Sequence, residues 1–151
     1  MKICFAASSG GHLEEIACLR PIEQEYDSFL VTEKGGFNEH SFGKNVYHVQ
    51  QVNRKEPLFI IYLVKIFFKS LSILLKEKPD CIISTGALAT FPICLLGKIL
   101  RKKIIYIESF ARVDEASMTG KFMYRIADLF IVQWAELLKI YPKATHTGGV
   151  F

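Results

Sequence analysis

His12 and Glu108 are the residues of this chain best suited to accept a proton, Glu108 directly after an apolar run and His12 at the end of the short turn that follows one. Lys2-Ile3-Cys4-Phe5-Ala6-Ala7 leads straight into Ser8-Ser9-Gly10-Gly11-His12. A strand that enters a helix through such a turn aims the first backbone N–H groups of the helix at whatever lies above the sheet. Gly10 and Gly11 permit close approach with no Cβ in the way. The turn therefore suits a diphosphate or an acceptor hydroxyl, with Ser9 beside it and His12 as proton acceptor. A purely structural glycine turn with one histidine fits the same residues equally well. The spacing is not GxGxxG, and no acidic residue closes the second strand as a dinucleotide site requires.

Two further turns end on the same kind of strand. Ser84-Thr85-Gly86 follows the run 80–84, and ligands of open α/β sheets sit beyond the carboxyl ends of the strands. The alternative is a plain loop in which Thr90 caps a helix carrying Pro92 in its first turn. Glu108-Ser109-Phe110-Ala111-Arg112 follows the run 103–107. A carboxyl group at the end of an apolar strand is costly unless paired or used. Either Glu108 and Arg112 form a structural ion pair, or Glu108 holds a substrate hydroxyl while Arg112 meets a phosphate or a partner chain. No P-loop lysine, GxSxG elbow, HExxH or Asp-x-Asp pair is present, so neither a metal nor a cofactor is expected. His40, His48 and His146 read as solvated or structural.

The elements that must position these turns alternate between β and α. Strands are predicted at 2–7, 28–32, 46–50, 80–84, 103–107 and 128–132, and helices at 11–24, 57–77, 91–101, 119–127 and 134–140. The last three strands are nearly continuous apolar runs, the mark of strands buried on both faces of a parallel sheet. The pattern predicts an α/β domain with a Rossmann-like, doubly wound parallel sheet. One domain of 151 residues is long enough to bury a substantial core. Cys4, Cys18, Cys81 and Cys94 show no CxxC spacing and read as buried and reduced. No signal peptide is expected, since Met1-Lys2 enters a short strand.

Half of the residues are hydrophobic, so either the core is rich or some apolar surface faces something other than water. The segment 57–77 concentrates the question. Twenty helical residues would span about 30 Å, enough for a bilayer core. However, Lys65, Lys69, Ser72 and Lys76 form one polar stripe, and two central lysines would cost about 5–7 kcal/mol in a lone spanning helix. An interfacial helix and an ordinary core helix remain the readings beside a spanning one. The net charge of +4 is too mild to argue for nucleic acid, and none is expected as a partner. Lys65, Phe67, Phe68 and Lys69, with Lys98, Arg101 and Lys102 around the end of the next helix, suit an anionic membrane surface.

SSGGHLEE at 8–15, STGALATFPICLLGKIL at 84–100 and above all YIESFARVDEAS at 106–117 resemble the membrane-side subunit of the split glycosyltransferases. These include the eukaryotic enzyme pair that extends dolichol-linked sugar and bacterial exopolysaccharide and capsule proteins of the PssD type. A more distant resemblance is to the N-terminal half of MurG, from which the chain departs with Phe110 where an asparagine is expected. The resemblance implies the N-terminal half of a GT-B fold, with a UDP-sugar-binding domain on a separate chain. It implies a heterodimeric, inverting hexosyltransferase acting on a polyprenyl-diphosphate-linked saccharide, peripheral at the cytoplasmic face of the membrane. His12 or Glu108 would then act as base or acceptor orienter. Ser9, Gly10, Gly11, Ser84, Thr85, Gly86, Ser109 and Arg112 would contact the acceptor, and Gly148, Gly149 and Phe151 the partner. The alternative is a non-catalytic anchor that recruits the catalytic subunit.

Overall fold

A computed structural model of the chain describes residues 1–34, 42–52 and 56–150. Seven parallel strands form one sheet in the order β3-β2-β1-β4-β5-β6-β7. They are β1 (Lys2–Ala7), β2 (Asp27–Glu33), β3 (Asn45–Val49), β4 (Cys81–Gly86), β5 (Lys103–Ile107), β6 (Leu129–Val132) and β7 (Thr145–His146). The helices are α1 (Gly11–Ala17), α2 (Arg20–Glu25), α3 (Phe59–Glu77), α4 (Phe91–Ile99) and α5 (Met118–Ile126). The chain runs outward from β1 to β3, then crosses back to β4 and proceeds the other way. The carboxyl ends of β1 and β4 therefore flank the point where the winding reverses, the place where such sheets open a crevice.

The expected doubly wound sheet is present, and its departures from expectation have local causes. The helix expected over 11–24 is broken at Cys18-Leu19, and α2 restarts with Pro21 in its first turn, the position where a missing N–H costs nothing. The helix expected over 134–140 is a 3₁₀ turn, Ala135–Lys139, and the two-residue β7 adds an unanticipated edge. Thr90 stands at the start of α4 but does not cap it with its side chain; its hydroxyl turns back to the carbonyls of Gly86 and Ala87, each at 2.9 Å. Cys18 is exposed at the α1–α2 break, against the expectation that all four thiols are buried.

Two apolar layers enclose the sheet. α3, α4 and α5 cover one face through Ile66, Ile73, Leu74, Ile93, Leu96 and Met123. α1 and α2 cover the other through Leu13, Ile16 and Ile22. Burial pushes the Cys81 thiol up to about 11 and the Cys94 thiol up to about 12, so neither ionises at neutral pH. Polar side chains pin the amino-terminal edge of the sheet. Glu77 at the end of α3 accepts from the Lys2 ammonium and the Tyr47 hydroxyl. Asp80 accepts from the Lys2 N–H at 2.7 Å, and Asp128 from the Ile104 N–H at 2.9 Å.

Among the described residues no helix is long and apolar enough to cross a membrane. α3 buries Ile66, Ser70, Ile73, Leu74 and Glu77 against the sheet and leaves Ile60, Ile61, Val64, Phe68 and Leu75 exposed, with Lys65, Lys69 and Lys76 alongside. Two of the residues assigned to a membrane surface are otherwise engaged. Phe67 packs on the core beneath α3, and Lys98 is held by Asp128 at 2.7 Å. Arg101 and Lys102 lie at the amino-terminal edge of the sheet, the opposite edge from the turns that could carry chemistry.

Candidate functional site

The turns after β1, β4 and β5 meet at one edge of the sheet. Buried glutamates hold the turns after β1 and β5, and hydroxyl groups hold the turn after β4. Glu33 ends β2 and accepts hydrogen bonds from the N–H and hydroxyl of Ser9 and from the N–H of Val52. An acidic residue therefore does close the second strand, contrary to expectation. It is turned inward onto the glycine turn and presents nothing to a nucleotide ribose. Glu15 on α1 accepts from the Ser109 hydroxyl at 3.0 Å and the Phe110 N–H at 2.9 Å, binding the first helix to the turn after β5. Its second oxygen is buried with no hydrogen-bond partner. Burial pushes both carboxyl groups above the ordinary 4.5, against the pull of those donors.

Glu108 has no exposed surface at all. Ser117 donates to both of its oxygens, at 2.8 and 3.1 Å, and Tyr141 donates at 3.0 Å. Its backbone carbonyl accepts from the Gln133 side chain at 2.9 Å, and Gln133 in turn accepts from the Val150 N–H at 2.9 Å. Ser117 also caps α5, accepting from the Gly120 N–H at 2.8 Å. A Cβ on Gly120 would stand 1.9 Å from the Glu108 carboxyl oxygen, so only glycine lets the first turn of α5 close over it. Burial, with the nearby Glu108 charge, raises the Tyr141 and Tyr106 hydroxyls well above their ordinary range, so both stay protonated donors. Glu108 forms no ion pair with Arg112, which is exposed. Of the two readings of Glu108 and Arg112, the structural ion pair is therefore not formed.

His12 lies on the first turn of α1, half-buried. Its backbone carbonyl accepts from the Thr85 hydroxyl at 2.7 Å, which ties α1 to the end of β4. A Cβ on Gly86 would meet the Tyr106 hydroxyl at 2.9 Å and His12 Cε1 at 3.2 Å, and φ of +120° is a glycine conformation. Nδ1 of His12 is buried and has no partner with hydrogen-bond geometry. Burial lowers the imidazole below its ordinary 6.5, helped by the Arg112 charge and opposed by the Thr85 backbone and the Glu108 charge. The ring is a neutral base at neutral pH.

A cleft of about 510 Å³ opens beside it, lined by His12, Ala87, Tyr106, Ser109, Arg112 and Ser117 among others. A second depression of about 400 Å³ lies on the other side of His12, against Gly11, Glu15, Ser109 and Phe110. The structure thus brings His12, Ser109 and Arg112 to one cleft, with Gly11 at the adjoining depression. Gly10 is exposed at φ +83°, and no atom would come within 4 Å of a Cβ at Gly10 or Gly11, so the space above the turn is open. Ser84 and Thr85, expected at a ligand, are fully buried: the Ser84 hydroxyl lies 3.1 Å from that of Thr90 and the Thr85 hydroxyl is spent on His12. Glu108, expected to touch substrate, is sealed beneath the floor. Gly148 and Gly149 run past the Phe110 ring, which packs on Trp134 with centroids 4.9 Å apart; Phe151 lies outside the described residues. Glu15, Glu33, Ser117 and Tyr141 were not singled out from the sequence. Only Ser117 carried a readable signal, a serine one residue before a helix.

Residues 31–150 match the family described as "Oligosaccharide biosynthesis protein Alg14 like". The chain is 29% identical to the mouse (Mus musculus) "UDP-N-acetylglucosamine transferase subunit ALG14", over 99% of this chain and 83% of that protein. It is 34% identical to the human (Homo sapiens) protein of the same name, over 67% of this chain and 50% of that one. Among solved structures it is similar to MurG of Acinetobacter baumannii (TM-score 0.70, 15% identity, 87% of this chain and 40% of that one). It is also similar to UDP-N-acetylglucosamine 2-epimerase from Rickettsia bellii (TM-score 0.75, 14% identity, 99% and 45%). The chain thus spans half of the human relative and less than half of these structures, whose likeness speaks for the fold alone: a Rossmann-like domain of the kind that forms one half of a GT-B enzyme. By the match across most of its length, the chain belongs to the Alg14-like family of oligosaccharide biosynthesis proteins.

Proposed function

We propose that this chain is a subunit of a two-component glycosyltransferase: it holds the lipid-linked acceptor at the membrane and recruits a partner that binds the UDP-sugar. The observation that carries this reading is the cleft at the reversal point of the sheet. Glu33 fixes its loop after β1, Glu15 and Glu108 the loop after β5, and Thr85 and Thr90 the loop after β4, while Glu108 itself has no exposed surface. Such a wall positions a ligand without supplying a set of reacting groups. The names of the relatives, each a transferase subunit, support the same division.

In this reading the acceptor is a polyprenyl-diphosphate-linked saccharide. Its sugar lies over His12 and Ser109, and its diphosphate is met by the Gly10-Gly11 backbone and Arg112. An acceptor hydroxyl attacks the anomeric carbon of the UDP-sugar held by the partner. The new glycosidic bond forms as the bond to UDP breaks, with inversion. The partner packs against Gly148, Gly149 and the turn around Phe110. The exposed side of α3, with Lys65, Phe68 and Lys69, faces an anionic bilayer at the cytoplasmic side. A bacterial exopolysaccharide or capsule pathway of the PssD type is the setting proposed.

A second reading, in which this chain supplies the base, is favoured by one observation: His12 is neutral, borders the cleft and leaves Nδ1 unpaired. One assay separates the two. With the cognate partner, UDP-N-acetylglucosamine and a lipid-linked acceptor, His12→Ala keeps turnover within about threefold if the chain only holds and recruits. A loss of about a hundredfold or more with the complex intact, the size expected for removal of a general base, overturns that and makes His12 the base.

A further inference from the structure

We propose that the pocket between the carboxyl ends of β2 and β3 and the first half of α3 binds the phosphate of a membrane-lipid headgroup. The pocket encloses about 400 Å³, and Lys34, His48, Gln50, Gln51, Lys65 and Lys69 contribute its polar lining. Three ammonium groups, an imidazole and two amides converge there, and among the described residues no carboxylate lines it. This is a donor-rich, cationic set, which suits a compact anion with several acceptor oxygens.

The surroundings leave the charge of these lysines uncompensated. At the amino-terminal edge of the sheet, Lys2 is neutralised by Glu77 and Asp27, Lys44 by Asp27 and Lys98 by Asp128. Among the described residues, Lys34, Lys65 and Lys69 have no carboxylate within ion-pair reach. Lys65 lies over the Tyr62 ring at 5.9 Å. Lys65 and Lys69 stand four residues apart on one helix, so they repel each other across one turn and an anion between them removes that penalty. On α3 the pocket borders exposed Ile61, Val64 and Phe68. A phosphate seated among the lysines would leave the acyl chains of its lipid along that apolar strip, the arrangement of an interfacial helix with its charged flank at headgroup level. The pocket lies at the β2–β3 end of the sheet, with β1 between it and the cleft at β4 and β5.

The inference rests only on the membrane-facing part of the proposed function. Its test uses the chain without a partner or sugar donor, so either proposal can fail while the other stands. Binding is measured to phosphatidylcholine vesicles with and without phosphatidylglycerol, and to soluble glycerol phosphate. Lys34→Gln/Lys65→Gln/Lys69→Gln is compared with Lys121→Gln/Lys139→Gln/Lys143→Gln, which removes the same charge elsewhere. Circular dichroism establishes that both variants are folded, and the His48 ring resonances report pocket occupancy in the unaltered chain. The expected result is a loss of at least about tenfold in affinity for anionic vesicles in the pocket variant, about threefold or less in the control, and a His48 shift on adding anionic vesicles. Equal losses in the two variants would reduce the effect to diffuse charge and overturn the proposal. A His48 shift with glycerol phosphate but none with anionic vesicles would overturn the lipid assignment in favour of a soluble phosphate.

Discussion

Ala87 borders the cleft with φ +76° and ψ 153°, a backbone region that is almost the preserve of glycine. The strain, of order 1–3 kcal/mol, is sustained by the loop around it, where Gly86 approaches His12 and Thr90 donates to the carbonyls of Gly86 and Ala87. Ala87→Gly relieves it at the expense of a more flexible unfolded chain, and the net expectation is a gain of about 1 kcal/mol in urea unfolding. No gain, or a loss, would mean the conformation is unstrained. His12, Gly10 and Glu108 were legible from the sequence because each follows an apolar run and departs from it in residue type. The partners that decide their roles were not. Glu15 reaches Ser109 across 94 positions and Tyr141 reaches Glu108 across 33, so no local pattern announces either contact. Glu108 shows the consequence: its place at the end of an apolar run is legible, but its burial under Ser117 and Tyr141 is not.

α1 is joined to the turn after β5 by one carboxyl group, which makes that joint sensitive to pH. Burial of Glu15, with the Glu108 charge as a smaller cause, raises its pKa in the fold above the ordinary 4.5. The folded chain therefore holds that proton more tightly than the unfolded chain. The stability this contributes is fully present below pH 4.5 and is lost as pH rises through the raised value. Glu15→Gln removes this dependence while keeping an acceptor for Ser109 and Phe110. Urea midpoints from pH 4.5 to neutral are expected to fall less steeply in the variant than in the parent chain. A residual slope from Glu33, shifted in the same direction, is expected in both. Parallel profiles would show that the Glu15 pKa is not raised in the fold. The helices themselves were largely legible: the polar stripe of Lys65, Lys69 and Lys76 on α3 is exposed, as its spacing requires. The helix expected over 11–24 spans Pro21, and proline in a first turn marks a helix start, which is where α2 begins.

The order of strands and helices specified a doubly wound parallel sheet, and the reversal between β1 and β4 set the cleft where the apolar runs 2–7 and 80–84 end. Pairing between strands far apart in sequence is not a local property. The position of β3 beyond β2 and the added β7 therefore had to come from the structure. Burial also partitions the exposed hydrophobic residues in a way composition cannot. Ile60, Ile61, Val64 and Phe68 stay outside on one helix, while Phe67 between them turns to the core. A cleft-bearing domain with one exposed apolar helix suits the acceptor-holding subunit proposed above, and the proposed division of labour with a partner is open to direct assay. Sugar transfer from UDP-N-acetylglucosamine to a lipid-linked acceptor is measured with this chain alone, with its cognate partner alone, and with both on anionic vesicles. The two-component reading predicts turnover only when both chains are present. Turnover by this chain alone at the rate of the pair would contradict it.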